Sequence, residues 1–237
     1  MLGEWGARSR CAKLSGMHIG VLGGTGPAGR GIATRLAASG HRVTLGSRDE
    51  GRAAQVVDEI RAQWGERVAG LEPGTNQEAA DAELVVLATV WDAAVATAEA
   101  HAGQLAGKVV ISMANGLRKE GRQFVPVVTP HGSIAAEVQL VAPGAQVVAA
   151  FHLVPAAALA DISHPLVGDV LVVGDDVGRP VVLDLVDAIP DLRALDAGPL
   201  ANALGIESFS AALLTVNLRH KGEGSLRIEG IGPRKAT

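Results

Sequence analysis

The chain has 237 residues, which at about 150 residues per domain means one large or two small domains with room for a sizeable core. Apolar residues make up 48% and charged ones 19%, too apolar for a disordered chain. Lys and Arg number 21 against 25 Asp and Glu, and the net charge of −4 excludes the basic surplus of a general nucleic-acid binder.

Residues 1–16 carry Arg8, Arg10 and Lys13 with no apolar stretch behind them. They read as a disordered tail rather than a signal peptide, Met17 offers an alternative start, and a cytoplasmic protein is expected. His18-Ile-Gly-Val-Leu22 is a short apolar run, a buried strand, and Gly23-Gly-Thr-Gly26 is a tight turn. Pro27 suits the first turn of a helix, where its missing N–H is not needed, and Gly40 ends that helix after about Ser39. Residues 41–46 read as a second strand, and residues 49–64 as a helix with Val56, Val57 and Ile60 on one face. A third strand over 84–89, a helix over 92–101 and a fourth strand over 108–112 follow, then strands over 147–152 and 170–174. Continuous runs such as Leu84-Val-Val-Leu87 fit strands buried on both faces.

Strands alternating with helices mean βαβ units and a parallel sheet. Beyond about residue 150 the alternation weakens, and residues 179–189 and 202–219 read as helices. In the second of these, Ile206, Phe209, Leu213 and Val216 recur at helical spacing and suit a core or a dimer interface. The expected fold is α/β: a Rossmann-type parallel sheet over 17–150 and a smaller, mostly helical C-terminal domain over 151–237.

Cys11 is the single cysteine, so neither an internal disulfide nor a Cys-rich zinc site is possible. The seven histidines show no H-x-x-x-H or H-E-x-x-H spacing, and no metal is expected. The longest nearly apolar run, 147–160, contains His152 and Pro155 and falls short of the ~20 residues of a membrane span.

Gly24-Thr25-Gly26-Pro27-Ala28-Gly29 is a G-x-G-x-x-G placed between a strand and a helix, the context that gives this pattern meaning. Gly24 lets the chain turn, Gly26 lets a pyrophosphate approach the backbone, and Gly29 lets helix and strand pack closely. The helix N-terminus supplies free N–H groups and a positive dipole end. An NAD site carries an acid at the end of the second strand, but Leu45-Gly46-Ser47-Arg48 has none. Ser47, Arg48 and, one turn on, Arg52 are donors suited to a 2′-phosphate, with Thr25 adding a hydroxyl, so NADP is expected. Asp49 and Glu50 come slightly later and favour the start of the next helix instead.

Together with Leu195-Asp-Ala-Gly-Pro-Leu200, the stretch Ile19–Gly26 and Gly46-Ser-Arg48 resemble the NADPH-dependent coenzyme F420 reductases, also called F420H2:NADP oxidoreductases. The resemblance covers nearly everything from Met17 to Ile231. It implies hydride transfer between NADP(H) and coenzyme F420, an 8-hydroxy-5-deazaflavin, in a cleft between two domains of a homodimer. Carried over residue by residue, Thr25, Gly26, Pro27 and Ala28 would hold the pyrophosphate, and Ser47, Arg48 and Arg52 the 2′-phosphate. Trp91 and Asn115 would line the NADP site, and Ala156 would offer backbone groups to the nicotinamide carboxamide. His152, Val154, Ser208, Ser210 and Leu226 would contact the deazaflavin. Ser112-Met-Ala-Asn115 replaces a more Pro/Val-rich stretch of the family, Arg52 stands for a Lys, and Ser210 for a Thr. Membrane ferric reductases carry a related NADP domain.

Hydride transfer between two bound rings needs alignment more than acid–base chemistry, so no essential catalytic residue is expected. His152 is the candidate exception, as a proton donor or as a positioning contact. Trp91 could stack on a cofactor ring or fill the core. Two other functions fit the same build: an NADP-dependent reductase of a small imine or carbonyl compound, with Lys108 or Lys119 as candidate proton donor, and a non-catalytic NADP-binding sensor.

Overall fold

The computed structural model describes residues 16–232 and Arg234, so the expected tail over 1–16 lies outside the described residues apart from Gly16. The chain runs β1 (His18–Leu22), α1 (Pro27–Ala38), β2 (Arg42–Ser47), α2 (Glu50–Trp64), β3 (Leu71–Thr75), α3 (Asn76–Ala80) and β4 (Leu84–Leu87). It continues through α4 (Trp91–Ala100), α5 (Ala102–Leu105), β5 (Val109–Ser112), a hairpin of β6 (Leu117–Glu120) and β7 (Gln123–Pro126), α6 (Ile134–Val141) and β8 (Gln146–Ala149). The last third holds α7 (Ala156–Ala160), β9 (Gly168–Gly174), α8 (Gly178–Asp187), β10 (Leu192–Asp196) and α9 (Ala203–His220).

Eight strands form one sheet in the order β10-β9-β8-β5-β4-β1-β2-β3. All neighbours are parallel except β8 and β9. Strand order reverses between β1 and β4, and in open α/β sheets ligands bind at that switch point, beyond the C-terminal ends of the strands. The central strands are buried on both faces because helices cover both, which is why Leu84-Val-Val-Leu87 reads as an unbroken apolar run. On one side α1 and α2 close over Ile19, Val21, Val43 and Leu45. On the other, α4 and α6 close over Val85, Leu87, Val110 and Val147.

Local chemistry sets the helix ends. Asp49 caps α2 by accepting the Arg52 N–H at 3.1 Å, as its position ahead of the helix predicts. Gly40, at φ +88°, stands just past α1 in the left-handed conformation that ends helices. Arg35 on α1 is buried and spends its guanidinium on the carbonyls of Leu159 (3.1 Å), Ala158 (2.6 Å) and Asp161 (2.5 Å). It thereby holds the C-terminal end of α7 against α1.

The structure adds elements that the sequence pattern hides. β3 contains Pro73 and Gly74 and looks like a turn, but it is the sheet's last strand, where a residue without an N–H is tolerated. The alternation continues past residue 150, since β9, α8 and β10 make a further βαβ unit on the same sheet, while the helices of this region are α7, α8 and α9. The strand expected over 147–152 stops at Ala149. Phe151 takes φ +66°, strained for a non-glycine residue, and turns the chain out of the sheet.

Gly20 on β1 has no room for a side chain, because an added Cβ would lie 1.7 Å from the Ala79 carbonyl oxygen of α3. Gly20→Ala should therefore destabilise the protein by ~3 kcal/mol or more in urea unfolding, since backbone must shift. Gly103→Ala, with open space around the new methyl, should leave stability unchanged or raised.

Candidate functional site

A groove of about 840 Å³ opens at the switch point. Its floor is the turn after β1, where Gly23, Thr25, Gly26, Pro27 and Ala28 line it. Ser47, Arg48, Asp49 and Arg52 close it on the β2 side, and Ala88, Thr89, Val90 and Trp91 on the β4 side. Met113, Ala114, Asn115 and Ala156 form its far end.

The glycines divide the work somewhat differently from expectation. The left-handed residue is Gly23, at φ +72°, whose missing Cβ would meet the Thr89 methyl at 2.6 Å. Gly24 is required instead by close packing, with Leu45 Cγ at 2.7 Å from an added Cβ, and Gly29 by the Gly24 backbone at 2.6 Å. Gly24 and Gly29 therefore shape the turn without lining the groove. Gly26 differs: its nearest neighbour would be 3.7 Å away, so the space above it is open. Gly26 is also the N-cap of α1, which has no side-chain cap and no acidic residue in its first turn. The unspent N–H groups of that turn make a cradle for an anion.

Arg48 makes no side-chain hydrogen bond or ion pair among the described residues. It precedes α2, which begins at Glu50, so Arg48 and Arg52 do not share a helical face, yet both line the groove. Ser47 is buried, and its hydroxyl oxygen accepts the Asp49 N–H at 3.1 Å, leaving its proton to give. Asp49 is engaged by the α2 N-terminus. Two guanidinium groups and a hydroxyl thus face the end of β2, the donor set that a phosphate dianion requires.

Asn76 is a groove residue that the sequence reading missed. Its Oδ1 accepts the Gly23 N–H at 3.1 Å and ties the glycine turn to the start of α3. The signal was present: Thr75 and Glu78 form a reciprocal capping box that marks a helix beginning at Asn76. Thr89, Val90 and Met113 were also missed, because nothing in their type or spacing is distinctive. Trp91 packs against the core with part of its half-buried ring and also lines the groove.

At or beyond the ends of β4, β5 and β8, four side chains carry buried polar atoms with no partner among the described residues: Thr89 Oγ1, Ser112 Oγ, Asn115 Oδ1 and both ring nitrogens of His152. Asn115 Nδ2 donates to the His152 carbonyl at 3.2 Å. An unsatisfied buried polar group costs ~1–3 kcal/mol, so their gathering at this one edge fits a polar ligand rather than packing. His152 itself is buried, and burial lowers its pKa to about 4 against a weak opposing contact with the Ala114 backbone. At neutral pH it is an uncharged imidazole with almost no proton to give, which favours positioning over proton donation.

None of the five expected deazaflavin contacts, His152, Val154, Ser208, Ser210 and Leu226, lines this groove. Val154 and Leu226 are half-buried against the core, and the Leu226 carbonyl accepts the Asp169 N–H at 2.8 Å. Ser208 is half-buried on α9, while Ser210 is buried with its hydroxyl on the Glu207 carbonyl at 2.5 Å. Asp196–Leu200 forms the turn from β10 into α9, held by Asp196 on the Gly198 N–H and by its ion pair with Arg179. Lys108 donates to the Ala80 carbonyl at 2.6 Å, just ahead of β5 and so at the opposite edge of the sheet, and Lys119 is exposed in the hairpin.

Residues 18–116 match the family model described as NADP oxidoreductase, coenzyme F420-dependent. The F420-dependent NADP reductase of Methanocaldococcus jannaschii is 35% identical over 221 residues, 88% of this chain and 96% of that protein. This chain belongs to the F420-dependent NADP reductase family. A second F420-dependent NADP reductase, from Methanothermobacter marburgensis, is 34% identical over 86% of this chain and 94% of its own length. A crystal structure of a protein described as an F420-dependent NADP reductase from Arthrobacter sp. FB24 superposes with a TM-score of 0.74 at 28% identity, over 90% of this chain and 99% of that one. No described helix is long and apolar enough to cross a membrane.

The unfolded chain takes up a proton on His152 near pH 6.5, which the folded chain refuses until about pH 4. Its contribution to stability is therefore complete above pH 6.5 and is lost as pH falls through that window, on the order of 3 kcal/mol in total. Glu207, whose pKa burial raises to about 7, acts in the opposite sense over an overlapping range. The difference between proteins isolates the imidazole: His152→Gln should show a flatter loss of unfolding free energy between pH 6.5 and 4 than wild type.

Proposed function

We propose that this protein transfers a hydride reversibly between NADP(H) and coenzyme F420. The observation that carries the reading is the donor set at the end of β2, with Arg48 uncommitted, Arg52 beside it and no free acid, next to the bare α1 N-terminus. In this reading the two coenzymes supply the chemistry, with hydride passing between the nicotinamide C4 and the deazaflavin C5. The residues of the chain bind and align. Thr25, Gly26, Pro27 and Ala28 cradle the pyrophosphate, with backbone N–H groups from the members other than Pro27, and Ser47, Arg48 and Arg52 hold the 2′-phosphate. Asn115, Trp91 and the Ala156 backbone bound the nicotinamide end, and Arg35 keeps α7, and with it Ala156, in place. His152, Val154, Ser208, Ser210 and Leu226, in the C-terminal region 151–237, remain the proposed deazaflavin side.

The titratable residues lining the groove are Arg48, Asp49 and Arg52, all at the β2 end. A reductase of imines or carbonyls needs a proton donor near the nicotinamide, and none of these lies there. Direct hydride transfer needs only that the two carbons be held about 3–3.5 Å apart. A sensor would bind the same dinucleotide without turnover. Mixing NADP+ with reduced F420 and following recovery of the deazaflavin's visible absorbance separates the readings. Turnover is expected, and dinucleotide binding without it would overturn the proposal.

Arg48→Ala should weaken NADPH binding about 10–100-fold, the value of a charge-assisted contact, and NADH binding by less than about threefold. Titration calorimetry with both dinucleotides checks this, and equal losses would refute the 2′-phosphate contact.

A homodimer acting in the cytoplasm is part of the proposal. Its support is the α9 surface, where Phe209 (46% exposed) and Val216 (52%) share one face with the exposed Ala212. Phe209→Glu should shift the sedimentation profile from dimer to monomer.

A further inference from the structure

Glu207 lies on α9, outside the groove, and is 4% exposed. Its Oε2 accepts the Ile134 N–H at 2.8 Å and its Oε1 the Ala135 N–H at 3.1 Å. These are N–H groups of the first turn of α6, and the next, that of Ala136, goes to Ser133 Oγ at 3.1 Å. The start of α6 thus has an ordinary local cap in Ser133 and, in addition, a carboxylate reaching in from a helix some seventy residues later. Ser210 fixes the main chain behind it by donating to the Glu207 carbonyl.

We infer that Glu207 is a positioning residue that sets α9, with Ser208 on it, against the rim of the dinucleotide groove, and so determines binding of the deazaflavin far more than that of NADP. The inference rests on the proposed reaction. The path is short and directional. Glu207 holds the first turn of α6, and α6 packs on α4, whose first residue is Trp91. The Ile134 side chain also lies against Gly116, where an added Cβ would be 3.5 Å from Ile134 Cγ1, and Gly116 follows Asn115. Glu207 thus ties α9 to both lips of the nicotinamide end, beside the hydrogen bond from the Phe124 N–H to Thr215 Oγ1 that joins α9 to β7. Ser208, the next residue along α9, is moved by any change in that reference.

Packing alone does not account for the arrangement. Burying a carboxylate is costly, and desolvation pushes this one up to about 7, offset only by the two backbone N–H groups. An apolar residue would fill the same space without that cost but would not fix distance and direction, as two hydrogen bonds from one rigid group do.

Equilibrium dialysis of the full chain against F420 and against NADP+, for wild type, Glu207→Gln and Glu207→Ala, tests this, with kcat and the thermal midpoint measured alongside. Glu207→Ala should raise the F420 Kd about tenfold or more while the NADP+ Kd moves less than about twofold. Glu207→Gln, which keeps one acceptor oxygen, should recover part of the F420 loss. An unchanged F420 Kd, equal losses for both ligands, or a Gln variant no better than Ala would overturn the inference. If the Ala variant does not fold, the near-isosteric Gln variant carries the test on the same two constants. Wild type that binds no F420 would refute the proposed reaction itself, whereas wild type that binds F420 beside an unaffected variant refutes only the role of Glu207.

Discussion

The structure depends on one constraint: a helix that starts with nothing to satisfy its first N–H groups. Gly26 cannot cap α1, Pro27 contributes no N–H, and no acidic residue sits in the first turn. Three other helix starts are capped by side chains, with Asp49 on α2, the Thr75–Glu78 box on α3, and Ser133 together with Glu207 on α6. The bare end of α1 stands where β1, β2 and β4 converge, and the surrounding residues close around it. Gly23 and Gly24 bring the turn close, Asn76 pins it, and Arg48 and Arg52 are the cationic side chains that line the groove among the described residues.

A second theme is the separation of binding from chemistry. Charge is concentrated at the β2 end, while the far end is bounded by Met113, Ala114, Asn115 and Ala156, and the Ser112 hydroxyl and the His152 imidazole, which burial keeps unprotonated, lie outside that lining. A groove of this kind can orient two redox rings and exclude water, but it offers no proton relay. That matches a reaction in which the coenzymes carry the bond-making and the protein supplies geometry.

The sequence made the dinucleotide half legible because it is local. The glycine spacing, Pro27 at a helix start and Ser47-Arg48 at a strand end each carry a mechanism within a few residues, and the groove contains them. What stayed hidden depends on distant partners. Pro73 in β3 is intelligible only once β3 is known to be an edge strand, and Phe151 gives no sign that it will turn left-handed and bury His152. Glu207 looks like a surface helix residue until α6 is found above it. The Ser210 hydroxyl, half a turn from Ser208, is spent within its own helix on the Glu207 carbonyl. The resemblance to the F420 reductases supplied the deazaflavin side, which neither spacing nor the groove reveals.

The central claim is direct transfer between two aligned rings with no exchangeable intermediate carrier on the protein. The most direct measurement follows deuterium from NADPH labelled at the transferred C4 position, with oxidised F420 in ordinary water. The account predicts that the label appears at C5 of the reduced deazaflavin without loss to solvent. Reduced deazaflavin carrying solvent hydrogen at that carbon would contradict it.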